Sequence, residues 1–99
     1  LKLTGSICDA ILSPELGQNT FPVIKRLCGP GLVVSDDEAL SAMAEAFTRL
    51  KLVLEPGGAA SLAAALYRAD EIEGETVIVV ASGGNTDAAM FNRALAKAV

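Results

Sequence analysis

Near the end of the chain, Val77-Ile78-Val79-Val80-Ala81 runs straight into Ser82-Gly83-Gly84-Asn85-Thr86-Asp87. This is the feature that most narrows what the sequence can fold into. Five apolar residues, most of them β-branched, predict a buried strand. A hydroxyl and two glycines end it, and Thr86-Asp87 before Ala88-Ala89-Met90-Phe91 carries the signal of a helix start. Strand, glycine turn and helix in that order put one hydroxyl at the carboxyl edge of a parallel sheet, where α/β proteins hold ligands. Glycines there let a flat ligand approach the backbone, since no Cβ stands in the way. The same arrangement also serves as an ordinary turn, or binds a small anion at the helix N-terminus.

The pattern occurs twice. Glu55-Pro56-Gly57-Gly58-Ala59-Ala60 follows another short apolar run, Leu52-Val53-Leu54, and opens an alanine-rich helix expected from Gly58 to Ala69. Upstream, Leu32-Val33-Val34 predicts a third short strand. Ser35-Asp36-Asp37-Glu38 then forms a capping box, with acidic residues that suit the positive end of a helix. In that helix Leu40, Met43, Phe47 and Leu50 share one face, which predicts an amphipathic helix packed on a sheet with Met43 and Phe47 in the core. Thr20 reads as an N-cap, with Pro22 tolerated in the first turn of a short helix that stops near Gly29-Pro30-Gly31. Asp70 to Glu75 is an acidic exposed turn, and a last helix is expected over 87–98. Alternating short strands and helices predict an α/β fold with a partial parallel sheet and flanking helices. Three strands are too few for a complete sheet of this type.

Composition removes several function classes. With 99 residues the chain is one domain or a piece of one, and the net charge of −4 comes with no basic cluster. That argues against nucleic acid and against an anionic membrane surface. No apolar stretch approaches the ~20 residues needed to span a bilayer. Cys8 and Cys28 stand alone, with no histidine anywhere in the chain. Neither a structural zinc site nor a disulfide is implied, and a reduced cytoplasmic chain is the expectation. The first five residues lack the apolar core of a signal peptide. Leu1 in place of an initiating methionine is read as a sign of a processed or excised segment.

Lys51-Leu52-Val53-Leu54-Glu55-Pro56-Gly57-Gly58-Ala59-Ala60 and Val79-Val80-Ala81-Ser82-Gly83-Gly84-Asn85-Thr86-Asp87 together resemble the C-terminal part of the serine/threonine dehydratases and serine racemases. These are fold-type II pyridoxal-phosphate enzymes of the tryptophan-synthase-β group. Ser6-Ile7-Cys8-Asp9-Ala10, Gly17-Gln18-Asn19-Thr20-Phe21-Pro22, Val33–Glu38 and Phe47–Lys51 also resemble that family, in the family's order. The resemblance covers nearly the whole chain. It implies that residues 1–99 are the C-terminal part of a pyridoxal-phosphate-binding catalytic domain.

What the resemblance implies can be carried over residue by residue. Ser82 would hydrogen-bond the pyridine nitrogen of pyridoxal phosphate. A neutral hydroxyl there makes the ring a milder electron sink than a charged partner would, which suits elimination of a β-hydroxyl. Gly83 and Gly84 would leave room for the ring edge. Glu55 would sit near the cofactor plane, or else is a buried acid satisfied by backbone at a helix start. Asn85 would cap the following turn or lie near a subunit contact, and Ser13 and Asn19 would border the substrate pocket. The implied reaction removes water from L-threonine or L-serine to give a 2-oxo acid and ammonia.

Two parts of that machinery are missing from the sequence. The family's Schiff-base lysine lies in a Ser-x-Lys-x-Arg-Gly type motif, and Lys2, Lys25, Lys51 and Lys97 all lack that context. A glycine-rich phosphate loop is also missing, the longest glycine run being two. Both are needed for this chemistry. The expected partner is therefore the lysine-bearing N-terminal part of the same enzyme, together with a small amino-acid substrate and a homo-oligomeric setting. No residue here is expected to be catalytic by itself or to bind metal. Serine racemase and threonine synthase are alternatives within the family. A free-standing module that binds a small anion on the Ser82–Asp87 turn is the alternative outside it.

Overall fold

The computed structural model describes residues 5–98. Helices dominate: α1 (Thr20–Leu27), α2 (Asp36–Glu45), α3 (Pro56–Tyr67) and α4 (Ala88–Leu95), with single 3₁₀ turns at Asp9–Ile11, Ala69–Glu71 and Ala96–Ala98.

Helix α2 forms for the reason its sequence gives. The Ser35 hydroxyl accepts from the Glu38 N–H at 3.1 Å, and the Glu38 carboxylate accepts from the Ser35 N–H at 2.8 Å. Both orphan donors are thus satisfied reciprocally. At its far end the helix widens into a π turn, Ala46–Leu50, which stops at Lys51 in the left-handed region (φ 59°). The Lys51 N–H donates to Phe47 O and the Leu52 N–H to Ala46 O. Each bond spans one residue more than in the usual left-handed C-cap.

Helix α3 begins at Pro56, two residues before its expected start. Proline lacks the N–H that the first turn leaves unpaired anyway, so it opens the helix that the glycines continue. Helix α4 begins behind Asp87, whose carboxylate accepts from the Met90 N–H at 2.7 Å. In α1, Asn19 and not Thr20 occupies the cap position. Thr20 is already helical, and its hydroxyl donates back to Gly17 O.

The core lies where α2 packs against α3 and α4, and it is built mostly of alanine. Ala42, Ala46, Ala59, Ala63 and Ala94 are fully buried with Met43, and Leu40 and Leu54 complete the cluster. Small side chains let the helix backbones approach closely. Phe47 is half-buried and meets Phe91 edge to face, with ring centroids 5.3 Å apart. Leu50, expected on the buried face, is exposed because the π turn rotates it away.

The expected sheet is the main correction. Among the described residues no strand is formed, and α2 packs on helices instead of on a sheet. The three apolar runs lack ladder partners: Val33 is 81% exposed, Ile78 89% and Val80 68%. One backbone bond joins two of the runs, from the Glu55 N–H to Gly83 O at 3.1 Å. A single bond does not make a ladder, because a parallel pair needs evenly repeated bonds along both segments.

A hydroxyl–glycine turn clasped to the start of helix α3

Ser82 lies at the surface, and its hydroxyl bonds to no other described residue. Its neighbours are tightly held. A Cβ built at Gly83 would overlap the Glu55 carboxylate, and one at Gly84 would overlap Val53 O. A Cβ at Gly58 would come within 2.9 Å of Gly83 N and closer still to its carbonyl oxygen. The two glycine motifs are therefore one structural unit, in which each lacks the side chain that would push the other away. Three of the four expected cofactor-side residues (Ser82, Gly83, Glu55) are brought together here, and Gly84 seals the turn against the Leu52–Leu54 run.

Glu55 is half-buried at the cap position of α3, yet its carboxylate does not cap the helix. It lies against Gly83, beside Ser82 in the chain. Past the glycines, the Thr86 N–H donates to Gly84 O at 2.9 Å, which tightens the turn before Asp87 caps α4. Asn85 does not cap that helix. It lines a small cleft of about 70 Å³ with Ile7, Asp9, Glu55, Thr86 and Asp87.

Asp9 carries no signal of a site in the sequence. The run Ser6-Ile7-Cys8-Asp9-Ala10 carried family likeness but no chemical pattern that marked its carboxylate. The structure brings it to the cleft through packing of the Asp9–Ile11 turn on α3, where Gly57 faces Ala10 and Ile11. That segment is anchored from the other side. The Ser6 hydroxyl donates to one Asp36 oxygen at 2.5 Å and the Ile7 N–H to the other at 3.3 Å. Ser13 and Asn19 are exposed and stand outside the Glu55 cleft.

The lysines are occupied elsewhere. Lys25 stands over the Phe21 ring, Lys51 donates to Thr48 O at 2.8 Å, and Lys97 pairs with Asp37 at 3.1 Å. Lys2 lies outside the described residues. None of the three described lysines lines the cleft beside Glu55.

An exposed hydroxyl free to hydrogen-bond, a glycine turn and an adjacent carboxylate can together engage a small polar ligand. Comparison with known proteins gives that class a name. The family model "Pyridoxal-phosphate dependent enzyme" matches residues 1–83. The chain belongs to the pyridoxal-phosphate-dependent enzyme family. It is 35% identical over 92 residues to serine racemase from Dictyostelium discoideum, covering 91% of this chain and 28% of that protein. It is 38% identical to the L-threonine ammonia-lyase of Geobacter sulfurreducens, covering 88% of this chain and 22% of that one. The L-threo-3-hydroxyaspartate ammonia-lyase of a Pseudomonas species is 35% identical, covering 83% and 26%. The crystal structure of the Dictyostelium serine racemase superposes with a TM-score of 0.76 at 36% identity, covering 85% of this chain and 28% of that chain. The chain thus spans about a quarter of the length of these relatives. Among the described residues no helix is long and apolar enough to cross a membrane.

Proposed function

We propose that residues 1–99 form the C-terminal part of the catalytic domain of an enzyme that eliminates water from L-threonine or L-serine, giving a 2-oxo acid and ammonia. The observation that carries this reading is the exposed Ser82 hydroxyl on a turn fixed by Gly83, Gly84 and Glu55. When bound, pyridoxal phosphate supplies the electron sink for the carbanion left by removal of the α-proton. Ser82 would meet the ring nitrogen as a neutral hydrogen-bond partner and would add no charge to it. Gly83, lacking a Cβ, makes room for the Glu55 carboxylate beside that contact, where the sequence leads us to expect room for the ring edge. Glu55 places a carboxylate next to the turn, where it would accept a hydrogen bond from the bound cofactor. The Schiff-base lysine and the phosphate cradle come from the N-terminal part of the same enzyme, which also covers the exposed apolar runs. Homo-oligomeric assembly completes the unit.

Replacing the hydroxyl tests the reading directly. Ser82→Ala removes one hydrogen bond and leaves packing intact, so cofactor affinity should fall roughly 3- to 10-fold. Formation of 2-oxo acid from L-threonine should fall with it. Unchanged affinity and turnover would remove Ser82 from the site.

A second reading is supported by the relatives named serine racemase and by the 0.76 superposition. Chiral analysis of the products from L-serine separates the two. D-Serine as the main product favours the racemase, and pyruvate the lyase.

A further inference from the structure

Three points on one edge of α3 hold the segment that carries Ser82. At the start of the helix the Glu55 N–H donates to Gly83 O. One turn on, Gly58 lies against the Gly83 backbone, closer than any side chain permits. One turn further, the Ser61 hydroxyl donates to Val80 O at 2.6 Å. Residues 55, 58 and 61 recur every three positions, so they form one ridge of the helix. The positions they grip, 80 and 83, bracket Ser82. The chain on either side of that hydroxyl is therefore fixed by a single rigid element, while the hydroxyl itself remains free.

We propose that Ser61 is a positioning residue for Ser82. By pinning the Val80 carbonyl it sets where the Ser82 hydroxyl stands relative to the cofactor ring nitrogen, with Gly58 as the fixed contact on the other side. This rests on the proposed role of Ser82. Nothing in the Val77–Asp87 turn or the Glu55–Ala60 motif requires a hydroxyl at 61; only the approach of the two segments gives it a partner. Val80 is mostly exposed, and the Ser61 hydroxyl holds its carbonyl from the helix side. Alanine has a higher helix propensity than serine, so Ser61→Ala removes the grip without weakening α3.

The test compares Ser61→Ala, Ser61→Thr and Ser82→Ala in the cofactor-loaded enzyme. Hydrogen exchange of peptides covering residues 79–85 should quicken roughly 2- to 10-fold in Ser61→Ala, with exchange in α2 unchanged. Threonine, which keeps the hydroxyl, should restore it. The cofactor absorption band should shift in Ser61→Ala in the same direction as in Ser82→Ala, and the double variant should shift no further than Ser82→Ala alone. A residue with only a structural role would lower the unfolding midpoint and leave the band in place. If Ser82→Ala moves the band and Ser61→Ala moves neither band nor exchange, the positioning role is wrong and the Ser82 assignment stands. If Ser82→Ala leaves the band unmoved, the assignment of Ser82 fails, and the role of Ser61 fails with it.

Discussion

Cys8 and Cys28 carry the same thiol in opposite settings. Cys8 is buried behind the Asp9–Ile11 turn, and Cys28 is exposed just beyond α1. Burial raises the Cys8 pKa above its ordinary value; the hydrogen bond with Ser6 works against this, and the charges of Asp36 and Asp9 add to it. The thiolate is the reactive form, so the two should separate kinetically. Under native conditions at neutral pH, iodoacetamide should modify Cys28 at least about tenfold faster than Cys8, as read by peptide mass mapping. Equal rates would mean that the Ser6–Asp36 anchor does not hold this segment closed. The raised pKa also has a sign for stability. The folded chain keeps a proton that the unfolded chain releases, so stability is complete below the ordinary thiol pKa and declines as pH rises past it. Among residues the sequence marked, Ser82, Gly83 and Glu55 do come together. Asp9 and Ser61 were invisible, because a carboxylate after a cysteine and a serine within an alanine-rich helix have no pattern until another segment is packed beside them.

The starts of α2 and α4 were legible, since a cap is decided by a few neighbouring residues, while those of α1 and α3 lie one and two residues before their expected places. The Ser35–Glu38 box and the Asp87 cap form where the sequence places them. Glu38 does more than close the box. Its carboxylate also takes the Arg68 guanidinium on both oxygens, at 2.7 and 2.8 Å, while Arg68 Nε donates to Val33 O at 3.0 Å. One acid thus ties the start of α2 to the end of α3. Its pKa is lowered, first by the Ser35 backbone bond and then by Arg68. Because the folded value lies below the unfolded one, the contribution is present above the ordinary glutamate pKa and is lost as pH falls through the lowered value. Ser35→Ala should cost about 1 kcal/mol in a urea titration. Glu38→Gln should flatten the acid side of the stability profile below roughly pH 4.3. An unaltered profile in Glu38→Gln would show that another carboxylate controls the acid transition. Strands were the least legible outcome. Their apolar, β-branched composition favours strands, but none forms among the described residues, because a parallel strand exists only beside partners. Composition cannot show that the partners are absent from these residues.

For the molecule as a whole, the surface is large for its mass. The chain exposes 7200 Å², against roughly 5300 Å² for a folded monomer of this mass by the usual surface scaling. Its radius of gyration is 14.2 Å, where a compact chain of this length has about 13 Å. Met43 is the one large side chain that is fully buried among the described residues. A thin alanine core lies beneath exposed valine and isoleucine runs, and the chain matches about a quarter of the length of each relative. The central claim is that this chain carries the ring-nitrogen side of the cofactor site while the lysine is supplied by the remainder of the enzyme. Borohydride reduction after adding pyridoxal phosphate, followed by mass mapping of every modified lysine, tests it most directly. Specific fixation should occur on a lysine outside these 99 residues, and the isolated chain should show no visible cofactor band. A cofactor fixed stoichiometrically to Lys2, Lys25, Lys51 or Lys97, with a visible band on the isolated chain, would contradict the account.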